Sequence, residues 1–402
     1  MQINFYLLDN RLIGSLKSVS LHSEILKNMN YAETRQHFHS LAEASGQEEK
    51  TSEAILHLLR DFAPTHIHTF HDNHNIIAIY DSGVEGPALL LRGDMDAVGV
   101  DEHLALPYAS RTSGYAHKCG HDGHITILLG VAEQLHLHPI GKGKVLLFFQ
   151  AAEETGQGCG QLIQNGFLKS YNINMVFALH NIPGIPLHSI TCRAGSFTCA
   201  VISCEIKLDG QTSHAAEPEK GISPFRAATS ITEQLLALNH PQLKDDNYQI
   251  VTLVESHIGE TAYGVSAGHG VLRFTMRAKS ETLLQAMKSD TERIVRTEVA
   301  KTPGLSHETR WLEYFAGGQN SAEAVEIVRQ AATNNGLTYI EKDVPFTWGE
   351  DFGLLTQHYP GALFGLGSGI DTPPLHHQDF DFPDEIIETG VKMMVSISKL
   401  VN

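Results

Sequence analysis

Cysteine is scarce in this chain: Cys119, Cys159, Cys192, Cys199 and Cys204 are the only five in 402 residues. An odd, sparse set in a chain of this length excludes a disulfide framework and leaves each thiol free to pack or to bind an ion. Positive charge is also short. Lys and Arg number 29 against 46 Asp and Glu, a formal balance of −17 that argues against nucleic acid or an anionic membrane surface as a partner. No apolar run is long enough to span a bilayer. The opening stretch MQINFYLLDNRLIGSLKSVS carries Asp9 and Arg11 where a signal peptide needs an unbroken apolar core, so a cytoplasmic protein is expected. Repeats and low-complexity tracts are absent as well.

Histidine is plentiful, at 24 residues. Its abundance raises the chance of accidental clusters, so the setting of each cluster matters more than its size. THIHTFHDNH (65–74) holds four histidines. It reads as strand, turn and strand with no carboxylate pair, and is expected to be surface. HKCGHDGH (117–124) is different. Cys119 and His121 are borderline-soft ligands two residues apart, and Gly120 lets the backbone turn both toward one centre.

Residues 30–62 read as helix, with Leu41, Ile55, Leu58 and Leu59 on its apolar face. PALLLRGDMDA (87–97), KVLLFFQAAEE (144–154) and NMVFALHNIPG (174–184) read as buried strands. They end in Asp94 and Asp96, in Glu153 and Glu154, and in His180. A helix is expected from about 124 to 138, with Asp122 as its N-cap. Strands alternating with helices, and polar residues collecting past the strand ends, describe an α/β sheet with a ligand edge. Adjacent Glu153 and Glu154 point different ways, so one can bind a metal while the other acts as general base.

The middle of the chain changes character. VISCEIKLDG (201–210), a helix near 223–238, QIVTLVESHIG (249–259), HGVLRFTMRA (269–278) and a helix near 281–300 give a β-α-β-β-α order. That order suits helices packed on an antiparallel sheet, an α+β sandwich of ferredoxin-like type. The sequence therefore predicts a discontinuous larger domain, 1–194 and 306–402, interrupted by an inserted domain at 195–305. GALFGLGSG (361–369) and PLHHQDFDFPDE (374–385) belong to the returning part.

LRGDMDA, HKCGHDGH, FQAAEETG, ALHNIPG, GQTSHAAEP and PLHHQDFDF occur in the order and setting of the M20 metallopeptidase superfamily. The chain most resembles its amidohydrolase branch, which includes hippurate hydrolases, N-acyl-amino-acid amidohydrolases and plant indoleacetyl-amino-acid hydrolases. The resemblance runs from about residue 30 to the C-terminus. It implies a mixed-sheet catalytic domain of the zinc-aminopeptidase type and an inserted lid that makes a homodimer. It implies two divalent metal ions (Mn, Zn, Co or Ni) held by Cys119, His121, Glu154, His180 and His376, with Cys119 bridging as a thiolate. Glu153 resembles the general base, Asp96 the acid that orients a ligand histidine, and His214 a residue that binds substrate and stabilises the oxyanion, often across the subunit boundary. Asp94 stays outside the ligand set, Cys159 is read as packing, and Glu350 and Asp351 of GEDF (349–352) as supporting residues.

The resemblance further implies hydrolysis of N-acyl or N-aroyl amino acids to a carboxylic acid and an amino acid. A dipeptidase or aminoacyl-dipeptide hydrolase of the same superfamily shares the metals and fold. A silent metal-binding protein is the reading from another class, and the presence of Glu153 speaks against it. Two departures stand out. GVSA (264–267) has Gly264 where many relatives carry a substrate-binding Asn, and the residues before Met29 have no counterpart, which leaves Met29 as a start or 1–28 as an extension.

Overall fold

The computed structural model describes residues 29–70 and 73–402. The extension before Met29, with Asp9 and Arg11, lies outside the described residues. The chain begins with α1 (Tyr31–Leu41) and α2 (Glu49–Asp61), then β1 (His66–Thr69), β2 (Ile76–Asp81) and β3 (Ala88–Asp94). α3 (His121–Leu137), β4 (Lys144–Gln150), α4 (Gly158–Gln164), β5 (Ile173–Ile182) and β6 (Ile190–Cys192) follow. β7 (Gly195–Ser196) leads into β8 (Ala200–Asp209), β9 (Ser213–His214), α5 (Phe225–Leu236), β10 (Gln249–Ile258), β11 (Val265–Ser266), β12 (His269–Ala278), α6 (Glu281–Ala300) and β13 (Ser306–Phe315). The chain returns through β14 (Gln319–Asn320), α7 (Ala322–Asn334), β15 (Tyr339–Glu341), α8 (Gly353–His358), β16 (Gly361–Gly367) and α9 (Ile387–Val401).

Among the described residues the larger sheet has eight strands in the order β1-β2-β4-β3-β5-β16-β6-β15. Its four central strands, β4, β3, β5 and β16, run parallel. Their apolar runs are buried on both faces, as a parallel sheet between two helical layers requires. Leu89 and Leu91 pack beneath α1, α2, α3 and α9, while Leu90 points to the opposite layer with Leu162 and Leu355. Cys159 is fully buried in that second layer, the packing place expected for it. The chain thus adopts the mixed α/β architecture read from its sequence.

The smaller sheet is antiparallel, in the order β10-β12-β8-β13. Ala200, Ile202, Cys204, Ile206 and Leu208 alternate toward α5 and α6 and form a separate core. The sequence reading ended this unit at 305, yet β13 (Ser306–Phe315) pairs with β8 as a fourth strand. Its mostly exposed side chains gave no apolar rhythm to follow. The chain enters and leaves this unit through β7 and β14, which pair with each other.

Three local expectations need correction. The single helix over 30–62 is two helices, because Ala42 turns left-handed at φ 31° and Gly46 follows at φ 78°. α3 starts at His121, and left-handed Gly120 takes the cap position assigned to Asp122. β4 and β5 bracket their site residues differently than expected: Glu153 and Glu154 lie beyond the strand, and His180 lies inside it.

Asp122 instead joins a buried ion network beneath the helix start. His39 lies between it and Glu102, with Nδ1 2.8 Å from Asp122 and Nε2 2.7 Å from Glu102. Lys118 Nζ donates to Glu102 at 2.6 Å, and Arg35 bonds Asp381 and Asp384. Burial alone would lower the His39 pKa, but the bonds to Asp122 and Glu102 outweigh it and push it up to about 9. Burial would raise Glu102, but His39 and Lys118 hold it down to about 2. The His39 contribution to stability is therefore full below its ordinary range and is lost as pH rises toward about 9. The Glu102 contribution is full above the ordinary carboxylate range and is lost as pH falls toward about 2. Thermal denaturation should accordingly give a Tm several degrees lower at pH 9.5 than at pH 6, and His39→Gln should flatten that slope. An unchanged slope in the variant would show that His39 is uncharged in the fold.

Candidate metal and catalytic site

The C-terminal ends of the parallel strands converge. Asp94 ends β3 opposite Gln150, the last residue of β4, and His180 of β5 pairs with Gly365 of β16. The loop before α3 brings Cys119 and His121 to the same edge. Gly120 between them has φ 98°, and a Cβ there would lie 2.5 Å from Asn181 Oδ1, so the tight turn accepts no larger residue.

Cys119, His121 and His180 offer ligand atoms within 4.8 Å of one another, and so do Cys119, Glu154 and His376. The two groups share Cys119. Cys119 Sγ is 3.5 Å from His180 Nε2. Glu154 Oε1 is 3.7 Å from His121 Nε2 and 3.5 Å from His376 Nε2. The structure therefore brings together the five side chains singled out as ligands, from four distant segments.

The backbone fixes the tautomers. His121 Nδ1 lies 2.9 Å from the carbonyl of Asp96, and His180 Nδ1 lies 2.9 Å from the carbonyl of Asn181. Carbonyls only accept, so each Nδ1 donates and Nε2 is the ring atom left to ligate an ion. His121 Nε2 and Glu154 Oε1 are buried without a hydrogen-bond partner among the described residues. Asp94, Glu350 and Asp351 are buried against Arg92, and Asp96 and Glu153 are buried as well. Burial and the neighbouring carboxylates of Glu154, Glu153 and Asp94 push the Cys119 thiol far up. Orphaned acceptors, excess negative charge and a thiol that ionises only beside a cation fit divalent metal binding.

Glu153 is 5% exposed and turned to the inner side of the cluster. The backbone N–H of Asp351 donates to its Oε1 at 3.3 Å. Burial, then the charges of Glu350 and Glu154, hold its carboxyl well above the ordinary range. Asp96 sits behind the ligands: its Oδ2 accepts from Glu154 N at 2.9 Å and Ser45 Oγ at 2.6 Å, and its Oδ1 is 3.3 Å from His121 Nδ1. Ala152 and His376 adopt left-handed φ values of 54° and 63°, strain of the kind held at functional sites.

His214 is not part of this cluster. It is exposed on β9, paired with Val265 of β11, and accepts at Nδ1 from Ala216 N. Gly264 O accepts from Ala215 N on the same ladder, and a Cβ at Gly264 would meet nothing within 4 Å. In the THIHTFHDNH segment, His66 is exposed and His68 is half-buried against the Phe167 ring, while His71 lies outside the described residues.

Three residues of the site had no role in the sequence reading. Arg92 is fully buried, donating to Gln150, Asp94, Glu350 and Asp351 at 2.6–3.3 Å. His124 joins Asp94 and Asn181 at 2.5 and 2.7 Å. Both oxygens of Asp94 are engaged, by His124 and Arg92, yet Asp94 also lies within ligand-atom reach of His121 and His124. Trp348 packs its indole 5.3 Å from the His180 ring. A guanidinium inside LLLRGD was a visible signal, since an unpaired charge does not sit mid-strand in a core.

The profile of Peptidase family M20/M25/M40 matches residues 90–399. An N-acetyldiaminopimelate deacetylase of Bacillus velezensis is 28% identical over 92% of this chain and 98% of its own length. An N-acetyl-L-cysteine deacetylase of Bacillus subtilis is 30% identical over 92% of this chain and 87% of its own. Among solved structures, a dinuclear metal-binding peptidase of the M20 family from Bacillus subtilis superposes with a TM-score of 0.76, at 24% identity over 92% of this chain and 97% of that one.

Proposed function

The chain belongs to the M20/M25/M40 peptidase family of hydrolytic enzymes, and within that family we propose that it hydrolyses the amide of an N-acyl or N-aroyl amino acid. The products are a carboxylic acid and the free amino acid. In this reading Cys119, His121, Glu154, His180 and His376 hold two divalent cations, drawn from Mn, Zn, Co or Ni. The observation that carries it is the pair of ligand groups sharing Cys119, with Glu153 beside them. The two deacetylases that this chain resembles are named for small N-acetylated amino acids.

Bound divalent ions supply Lewis acidity toward the amide carbonyl and lower the pKa of water. The chain's own residues do the rest. Glu153 Oε takes the proton of the attacking water and delivers it to the leaving nitrogen. Asp351 N–H keeps that carboxylate from turning away. Asp96 fixes the His121 ring and, through the Glu154 N–H, the backbone that carries both glutamates. His214 binds substrate from the smaller unit, across a homodimer in which the partner brings it to the site.

Metal analysis tests the ligand set. The purified chain should hold about two equivalents of divalent ion, and Cys119→Ala, which removes the shared ligand, should hold one or fewer. A strong chelator should abolish turnover, and added metal should restore it. Undiminished metal content in Cys119→Ala would remove Cys119 from the site. Side-by-side assay of hippurate, N-acetyl amino acids and dipeptides separates the amidohydrolase from a dipeptidase.

A further inference from the structure

Trp348 has no task in the chemistry described so far. Its indole lies beside His180 at 5.3 Å, tilted by 44°. Phe346 stacks on the same indole at 4.9 Å and 26°, and fully buried Phe197 meets Phe346 edge-on at 5.3 Å. The Lys342 ammonium stands 4.0 Å over the Phe346 ring. The result is a ladder of rings rooted in the core at Phe197. Trp348 is the last rung. It is half-buried, it touches a candidate metal ligand, and its indole N–H has no hydrogen-bond partner among the described residues.

We propose that Trp348 is the wall of the acyl subsite and selects a flat aromatic acyl group over acetyl. This rests on the amidohydrolase reading above. The scissile carbonyl must come within reach of Glu153 and of the centre faced by His180 Nε2. An acyl substituent projecting from that carbonyl past His180 meets the indole. A benzoyl ring is conjugated with its carbonyl, so the two are held near one plane and few rotors are frozen on binding. Such a ring can stack on, or abut edge to face, the indole. A methyl group has no π face and covers little of the indole. The free N–H adds a donor at the rim of the same subsite.

The test uses the full-length metal-loaded enzyme with N-benzoyl and N-acetyl derivatives of one amino acid. Trp348→Ala should lower the benzoyl-to-acetyl ratio of kcat/KM about tenfold, mainly through KM, and Trp348→Phe should retain most of the ratio. A second readout needs no turnover. The chain has two tryptophans, Trp311 and Trp348, so Trp311→Phe leaves Trp348 as the sole indole emitter. Benzoate should change that emission at concentrations where acetate does not. Normal hydrolysis with an unchanged ratio in Trp348→Ala overturns the subsite and leaves the amidohydrolase standing. A benzoate-sensitive emission in a protein that hydrolyses no acyl amino acid supports the aromatic subsite and overturns the amidohydrolase.

Discussion

Glu153→Gln is expected to lower kcat by about 10²–10⁴-fold while the bound metal stays at the wild-type level. The two side chains have nearly the same shape, and the amide can still accept the Asp351 N–H that holds Glu153 Oε1. What the amide cannot do is take a proton from water and return it to an amine. Binding terms are untouched, so KM should change little and the loss should fall on kcat. Glu154→Gln makes the contrast, because Glu154 Oε1 stands between His121 and His376 and its loss should appear first as lost metal. Activity of Glu153→Gln within tenfold of the parent would place the base elsewhere.

Arg92→Met should destabilise the fold by about 3–5 kcal/mol, the scale set by leaving buried charges without their partner. The guanidinium uses its whole fork: Nε to Gln150, Nη1 to Asp94, Nη2 to Glu350 and Asp351. Methionine fills the volume, so a cavity is not the cause. The deficit arises from Asp94, Glu350 and Asp351, which then face one another in a dry interior. Folding of the variant would keep some of these carboxyls protonated, which raises their folded pKa. Its stability should therefore recover as pH falls and worsen as pH rises. Arg92→Lys restores the charge but not the fork, and should fall between the two. A urea midpoint for Arg92→Met equal to the parent's would show that the carboxylates do not depend on this cation.

The sequence was legible where one rule governed a segment. Apolar runs such as LLL and VLLFF are buried strands because a parallel sheet covers both their faces, and the acids after them collect at one edge by topology alone. The five candidate ligands were readable through their motifs. Geometry that depends on a partner far along the chain was not. Asp122 looked like a cap because capping is local, whereas His39 and Arg35 claim it from another helix. β13 hid because an edge strand with exposed side chains has no apolar period. Trp348 carried no local signal, since its meaning comes from His180, 168 residues earlier.

One feature of the larger sheet governs how the molecule can be made. β16 lies between β5 and β6, bonded to both, although those two strands precede it by well over a hundred residues. On a ribosome, β5 emerges with one flank unzipped and must wait for residues 361–367 to slot in. His376 comes later still. The smaller unit, complete by Phe315, can finish its own core during that wait. Completion thus follows the emerging chain: the insertion closes first, its host sheet only with β16, and the ion cradle last of all.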